Sequence, residues 1–311
     1  MGTVLTPEDR LNANDGICVA DPLSGLGFQT LGALERLGRR TLALCAPEEL
    51  PRLPIVRRSF PWQQMESSHI IDAWTGSPGE LRALLVPFNG SLAHNVPVDG
   101  RLFEKAQKLK VALRLKNPEL HAVFVVSGST PEKLYLPLLD ARTTVLLAPR
   151  LFGLKDGGLF DWFQSHLERG LPRLLRFLKE RRSDVVQVGF LGDVAALLST
   201  LPQNPAAFEK LLFLPPQEIT LEDFGRLFLE NFLPGGASAT QKFRSLFSDR
   251  GADFGGLAAL NERVLWPADA ANAFEIFPGA QTPVSRALRQ CRDSHRRYPE
   301  MDLIFGPARA L

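Results

Sequence analysis

At 311 residues, 45% hydrophobic and 23% charged, the chain has room for one large α/β domain or two modest ones, and its composition excludes a predominantly disordered protein. A formal charge of +2 is too small to argue for nucleic acid as a partner. Three cysteines (Cys18, Cys45, Cys291) without metal-ligand spacing exclude a disulfide framework and point to a reducing compartment.

The five histidines, His69, His94, His121, His166 and His295, are scattered, so no metal site is expected. No apolar run approaches the roughly 18 residues that cross a bilayer, and the N-terminus lacks a signal-peptide core. The expectation is a soluble, cytoplasmic protein. Met1, Gly2 and Thr6 fit the M-G-x-x-x-[ST] acylation pattern, which is too short to carry weight.

In chain order, residues 1–14 read as a polar lead-in. A short apolar strand, Ile17 to Ala20, enters a loop carrying Pro22, Gly25 and Gly27; a helix to Leu37 stops at Gly38, and Thr41 to Leu44 forms a second strand. Pro54 to Phe60 predicts a short edge strand, Met65 to Trp74 a helix and Leu81 to Phe88 a strand. Asn89 to Pro97 reads as a loop. Asp99 to Leu115 is an amphipathic helix with Leu102, Phe103, Ala106, Leu109 and Leu113 on one side. Lys105, Lys108, Lys110, Arg114 and Lys116 are read as its solvated face. His121 to Val126 and Thr143 to Ala148 are unbroken apolar runs, the mark of strands buried on both faces.

Helices follow at Leu159 to Leu167 and Leu171 to Leu178, then a strand at Val185 to Phe190, a helix at Asp193 to Leu201 and an extended stretch at Phe208 to Leu214. Thr220, with Asp223 three residues on, is read as a capping pair opening a helix to Phe232. Pro234 to Gly256 reads as a loop-rich insert, and Pro283 to Arg297 as a last, basic helix. The basic tract Arg173, Arg176, Lys179, Arg181 and Arg182 is read as a solvated face rather than a nucleotide-diphosphate site. Alternating strands and helices predict a mainly parallel sheet covered on both sides.

The ordered set of segments resembles the extended short-chain dehydrogenase/reductase family, the NAD-dependent epimerase/dehydratase group. Residues 16–45 resemble its strand–TGxxGxxG–helix, HAVFVVSGST its serine-ended fifth strand, and TTVLLAPRLFG its R-P-x-x-x-Y-G-P segment. VVQVGFLGDVAALL is similar to its V-x-D-V-A region. The resemblance implies a Rossmann-type doubly wound parallel sheet over 1–153, with 184–215 returning to it. It also implies a smaller substrate-side domain from 154–183 and 216–311, and a homodimer formed through the Asp99 to Leu115 helix.

The chemical parts fit the family poorly. Aligned from Ala20, its three glycines fall on Pro22, Gly25 and Phe28, and only Gly25 matches; a shifted reading uses Gly25 and Gly27. Pro22 removes an N–H, and Phe28 places a ring where the family has no side chain. NAD or NADP binding is therefore disfavoured. The family's Y-x-x-x-K pair is missing: Tyr135 is followed by Leu139 and Tyr298 by Asp302. Ser129 or Thr130 resembles its catalytic hydroxyl. The resulting expectation is a pseudoenzyme serving in ligand binding, regulation or scaffolding. The alternative is an active epimerase, dehydratase or reductase acting on a nucleotide sugar or other small molecule, with Ser129, Thr130, Tyr135 or His94 as displaced machinery.

Overall fold

The computed structural model describes residues 15–45, 58–61, 81–169, 171–233, 263–277, 279 and 281–297. The stretches read as the 65–74 helix and the 234–256 insert lie outside them, as do Tyr298 and His69.

The strands of the main sheet are β1 (Gly16–Ala20), β2 (Arg40–Cys45), β3 (Arg58–Pro61), β4 (Leu81–Pro87), β5 (His121–Ser127) and β6 (Thr143–Ala148), joined later by β9 (Lys210–Phe213) and β11 (Ala271–Asn272). They line up as β11-β9-β6-β5-β4-β1-β2-β3, and every adjacent pair is parallel. The order reverses between β1 and β4. In open α/β sheets that reversal opens a crevice at the strands' carboxyl ends, and it places the site here.

The unbroken apolar strands are explained by two helix layers. Ile17 and Val19 of β1 and Val123 and Val125 of β5 face one core, with Leu26, Leu31 and Leu34 of α1 (Gly25–Arg36) and Leu191, Val194 and Leu198 of the later 191–200 helix. Cys18, Ala20, Ala122, Phe124 and Val126 face the other, with Phe103, Ala106, Leu109 and Leu113. The strand period of two thus feeds both layers from one run. Each fully buried Leu, Val or Phe contributes about 1.5–3 kcal/mol.

Between β4 and β5 lie α2 (Asn89–His94) and α3 (Gly100–Lys116). The expected loop at 89–97 is in fact helical through His94. Leu92 and Ala93 are buried, and Arg150 Nη2 donates to the His94 carbonyl at 3.0 Å, satisfying a C-terminal acceptor of the short helix. On α3, Leu102 is exposed rather than core-facing. The cationic face is not uniformly solvated either: Lys110 is only 3% exposed.

α4 (Glu132–Tyr135) is one turn, continued by 3₁₀ geometry at Leu136–Leu138. A second sheet, ordered β10-β8-β7, comprises β7 (Arg150–Phe152), β8 (Val185–Phe190) and β10 (Gln217–Thr220). β8 therefore joins the small sheet while β9 joins the large one. Around it pack α5 (Leu159–Arg169), α6 (Leu171–Glu180), α8 (Leu221–Phe232) and α10 (Val284–Arg297); α7 (Leu191–Thr200) belongs to the large sheet, and α9 (Ala273–Ile276) follows β11. The small core is aromatic, with Phe152 edge-on to Phe224 at 5.5 Å and Phe160 edge-on to Phe228 at 5.4 Å.

The Thr220 cap forms as read: its Oγ1 accepts the Asp223 N–H at 3.1 Å and donates to Asp223 Oδ2 at 2.8 Å. Thr220→Ala should lower stability by about 1 kcal/mol in urea denaturation, the usual loss for such a cap.

Candidate functional site

The β1–α1 turn is built around Asp21, which adopts φ +50°, a left-handed conformation that short polar side chains tolerate. Its N–H donates to the Leu44 carbonyl at 3.2 Å, and its own carbonyl accepts from the Ser24 N–H (3.3 Å) and Oγ (2.7 Å). Ser24 caps α1, its Oγ accepting the Gly27 N–H at 3.1 Å. A Cβ on Gly27 would lie 2.1 Å from the Asp21 carbonyl oxygen, so only glycine lets the helix pack this closely on its turn.

The close approaches thus fall at Gly25 and Gly27, and the left-handed turn at Asp21. Pro22 and Phe28, the positions aligned with family glycines, take neither role. Phe28 is half-buried one residue beyond the close contact, its N–H bonded to the Ser24 carbonyl at 2.8 Å. Across the crevice, Asn89 Nδ2 donates to Asp21 Oδ2 at 2.9 Å, tying the ends of β4 and β1 together. A carboxylate therefore stands beside the α1 N-terminus, the end of a helix that favours anions.

The loop Gly153–Gly158 lies over this end of the sheet. A Cβ on Gly25 would sit 2.4 Å from the Lys155 carbonyl oxygen and 2.9 Å from that of Leu154; one on Gly158 would sit 2.4 Å from the Ala93 carbonyl oxygen. The loop is thus wedged between α1 and α2. Asp156 pins it from within. Its Oδ1 accepts N–H groups from Gly158 (2.8 Å) and Asp161 (3.1 Å), and its Oδ2 those of Phe160 (2.9 Å) and Gly153 (3.4 Å). Burial, then the Asp161 carboxylate, push the Asp156 pKa up, and the backbone donors pull it down.

The hydroxyls expected to be catalytic are engaged with the protein. Ser127 Oγ donates to Asn95 Oδ1 at 3.0 Å, Ser129 Oγ to the Asn95 carbonyl at 2.9 Å, and the two hydroxyl oxygens are 2.8 Å apart. Two protons serve three contacts. Thr130 Oγ1 is buried and accepts the Val98 N–H at 3.3 Å. Above this turn, a Cβ on Gly128 would strike Val264 Cγ1 at 2.3 Å and the Trp266 ring at 2.7 Å, so residues 263–267 cover it. Trp266 in turn stacks on Phe213 with centroids 5.4 Å apart.

Tyr135 is 2% exposed and packs with Phe88, Phe103 and Leu138 in the core beneath α3. Burial, with Glu132 and Asp269 adding, pushes its phenol up to about 12. An acid/base tyrosine needs a pKa moved the other way, toward the working pH. His94 adjoins Asn95 and is exposed to solvent; its pKa is lowered by partial desolvation first and by Arg150 second, which leaves a neutral imidazole at physiological pH. The structure brings Ser129 together with Ser127 and Asn95, and none of the Ser129 hydrogen bonds reaches Tyr135. Among the described residues no group of three or more His, Cys, Asp or Glu is arranged to hold a metal, and no helix is long and apolar enough to cross a membrane.

Asp21 and Asp156 were not singled out by sequence. Asp21 sits where the family has a threonine before its first glycine; Asp156 carries a usable signal, an Asp-Gly-Gly run just ahead of an apolar helix.

No protein-family model and no curated protein sequence matches the chain. Solved structures do. UDP-glucose 4-epimerase from Thermotoga maritima, with UDP-glucose, aligns at a TM-score of 0.59 and 13% identity, over 92% of this chain and 100% of that one. Yeast methylglyoxal/isovaleraldehyde reductase Gre2, complexed with NADPH, aligns at 0.55 and 10%, over 91% and 99%. GDP-L-fucose synthetase from Naegleria fowleri, bound to NADP, aligns at 0.52 and 10%, over 94% and 95%. The chain has the Rossmann-type fold shared by these epimerases and reductases. At such identities the likeness is one of fold, and chemistry has to be argued from the site.

Proposed function

We propose that this chain is a pseudoenzyme on the epimerase/reductase frame, a ligand-binding, regulatory or scaffold protein that does not carry out hydride transfer. The observation that carries this reading is Tyr135. No lysine stands four residues on, the ring is sealed in the core, and its pKa is raised where catalysis needs it lowered. Asp21 supports the same reading: its carboxylate lies at the β1–α1 turn, where this fold receives a pyrophosphate, and like charges there oppose phosphate binding.

The competing reading, an enzyme with a displaced acid/base, rests on His94, the one candidate that is both neutral and solvent-facing. Incubating the full chain with UDP- and GDP-sugars plus oxidised or reduced NAD and NADP, followed by proton NMR, separates the two. No change in sugar stereochemistry or nicotinamide redox state is expected. Turnover that disappears in His94→Ala would establish the enzyme instead.

A further inference from the structure

The loop Gly153–Gly158 goes beyond this reading, because it concerns cofactor access rather than proton transfer. In Rossmann folds a glycine at the start of the first helix lets a dinucleotide's pyrophosphate approach the backbone. Here Gly25 holds that place, and what approaches it is the chain's own backbone, the carbonyl oxygens of Leu154 and Lys155. We infer that Gly153–Gly158 is an internal plug, an autoinhibitory contact that fills the crevice at the β1/β4 reversal and closes it to dinucleotides.

Three independent features seat the plug. Gly25 and Gly158 each lack a side chain where one would collide with backbone, on α1's neighbour and on α2 respectively. Buried Asp156 binds four N–H groups of the loop and of the first turn of α5. Lys155 and Gly157 hold left-handed conformations (φ +59° and +70°). Lys155 holds its conformation without being a glycine, so the surrounding contacts must fix it. A carbonyl oxygen also carries the partial negative charge that a helix N-terminus favours, without a phosphate's full charge beside Asp21.

The plug makes an unusual prediction about its two glycines. In a helix or at its mouth, Gly→Ala is ordinarily neutral or stabilising. With the loop seated, Gly25→Ala and Gly158→Ala should each destabilise. Once one has displaced the loop, the second has nothing left to strike. The double variant should therefore be more stable than additivity allows, by on the order of tenfold in the folding equilibrium constant.

Hydrogen exchange on the full wild-type chain supplies the second readout. The amides of Gly158, Phe160 and Asp161 should exchange at least about a hundredfold more slowly than in an unstructured peptide. Millimolar NAD or NADP should change neither that protection nor the melting temperature. Additive glycine variants, unprotected loop amides, or a dinucleotide that shifts the melting temperature while exposing the loop would each overturn the plug. Turnover of a nucleotide sugar that needs no added dinucleotide would overturn only the functional reading, whereas turnover that requires NAD or NADP would overturn the plug as well. Should both single variants fail to fold, exchange in the wild type still decides.

Discussion

Asp140→Ala is expected to cost about 3 kcal/mol of unfolding free energy at neutral pH, because it strands a buried lysine. Lys110 projects from the core-facing side of α3, with its Nζ donating to the Leu138 carbonyl at 2.7 Å and to Asp140 Oδ2 at 2.8 Å. Arg114 Nη1 reaches the same oxygen at 2.5 Å, while Thr143 Oγ1 (2.6 Å) and the Arg142 N–H (3.2 Å) donate to Oδ1. The carboxylate therefore ties α3 to the lead-in of β6. Burial alone would raise its pKa; the hydrogen bonds from Arg114, Lys110 and Thr143 outweigh that and hold it far below the usual carboxylate range. Its side chain remains 39% exposed, so the low end of the range for breaking buried pairs applies.

The counter-variant separates a lost attraction from a stranded charge. Lys110→Met should cost less, about 1 kcal/mol, since Arg114 still pairs with Asp140. The double variant should recover part of the Asp140→Ala loss. In Asp140→Ala the lysine, already depressed by burial, loses the partner that raises its pKa. The unfolded state then binds more protons, and stability should climb with pH on the alkaline side. Urea titrations at neutral and alkaline pH check both statements; a flat profile with a loss under 1 kcal/mol would mean that Lys110 relaxes to water.

The sheet was legible because burial on both faces leaves its imprint in consecutive residues: HAVFVV and TTVLLA admit little else. The α2 helix was not, because Asn89, Gly90 and Ser91 are poor helix formers and its support is tertiary, from buried Leu92 and from Arg150 some 56 residues on. Lys110 was misread for a related reason. Helical spacing shows which cations share a face, but the partner that makes burial tolerable lies 30 residues away.

The site divides along the same line. The absence of Y-x-x-x-K and the odd glycine loop are local and could be read directly. Counting from the family's spacing puts the tight positions on Pro22, Gly25 and Phe28, and the shifted reading on Gly25 and Gly27. The close approaches fall at Gly25 and Gly27, the latter against the carbonyl of Asp21 in its left-handed turn. The closure over Gly25 was invisible because Leu154 and Lys155 are remote in sequence, and no local pattern marks one backbone resting on another.

The second large effect concerns His121, at the start of β5, and it should appear as acid lability. Its Nε2 lies 2.8 Å from Thr144 Oγ1, which itself donates to the Ala207 carbonyl at 2.5 Å. The threonine's only proton is thus committed, so Nε2 must carry the imidazole hydrogen and Nδ1 is a bare, buried lone pair without a partner. Phe208 meets the ring edge-on at 4.5 Å. Burial first, then Arg114 and Arg142, push its pKa down to about 3, with Asp140 opposing. Between about pH 6.5 and pH 3 the unfolded chain binds this proton and the folded chain does not, so stability rises with pH across that window. Moving from neutral pH to about pH 4.5, His121 alone should cost roughly 3 kcal/mol, two pKa units' worth of linkage. Asp156 opposes it in the same window, because its raised pKa makes the folded chain bind its proton more readily than the unfolded chain does. The Asp140 cluster contributes its own loss only as pH falls below the ordinary carboxylate range, so the two effects separate. His121→Leu removes the titrating group while Thr144 keeps its bond to Ala207. Between those pH values the wild type should therefore lose roughly 3 kcal/mol more than the leucine variant, the Asp156 contribution being common to both. If the leucine variant loses stability on acidification as steeply as the wild type, the proton is being taken up elsewhere and His121 is not its acceptor.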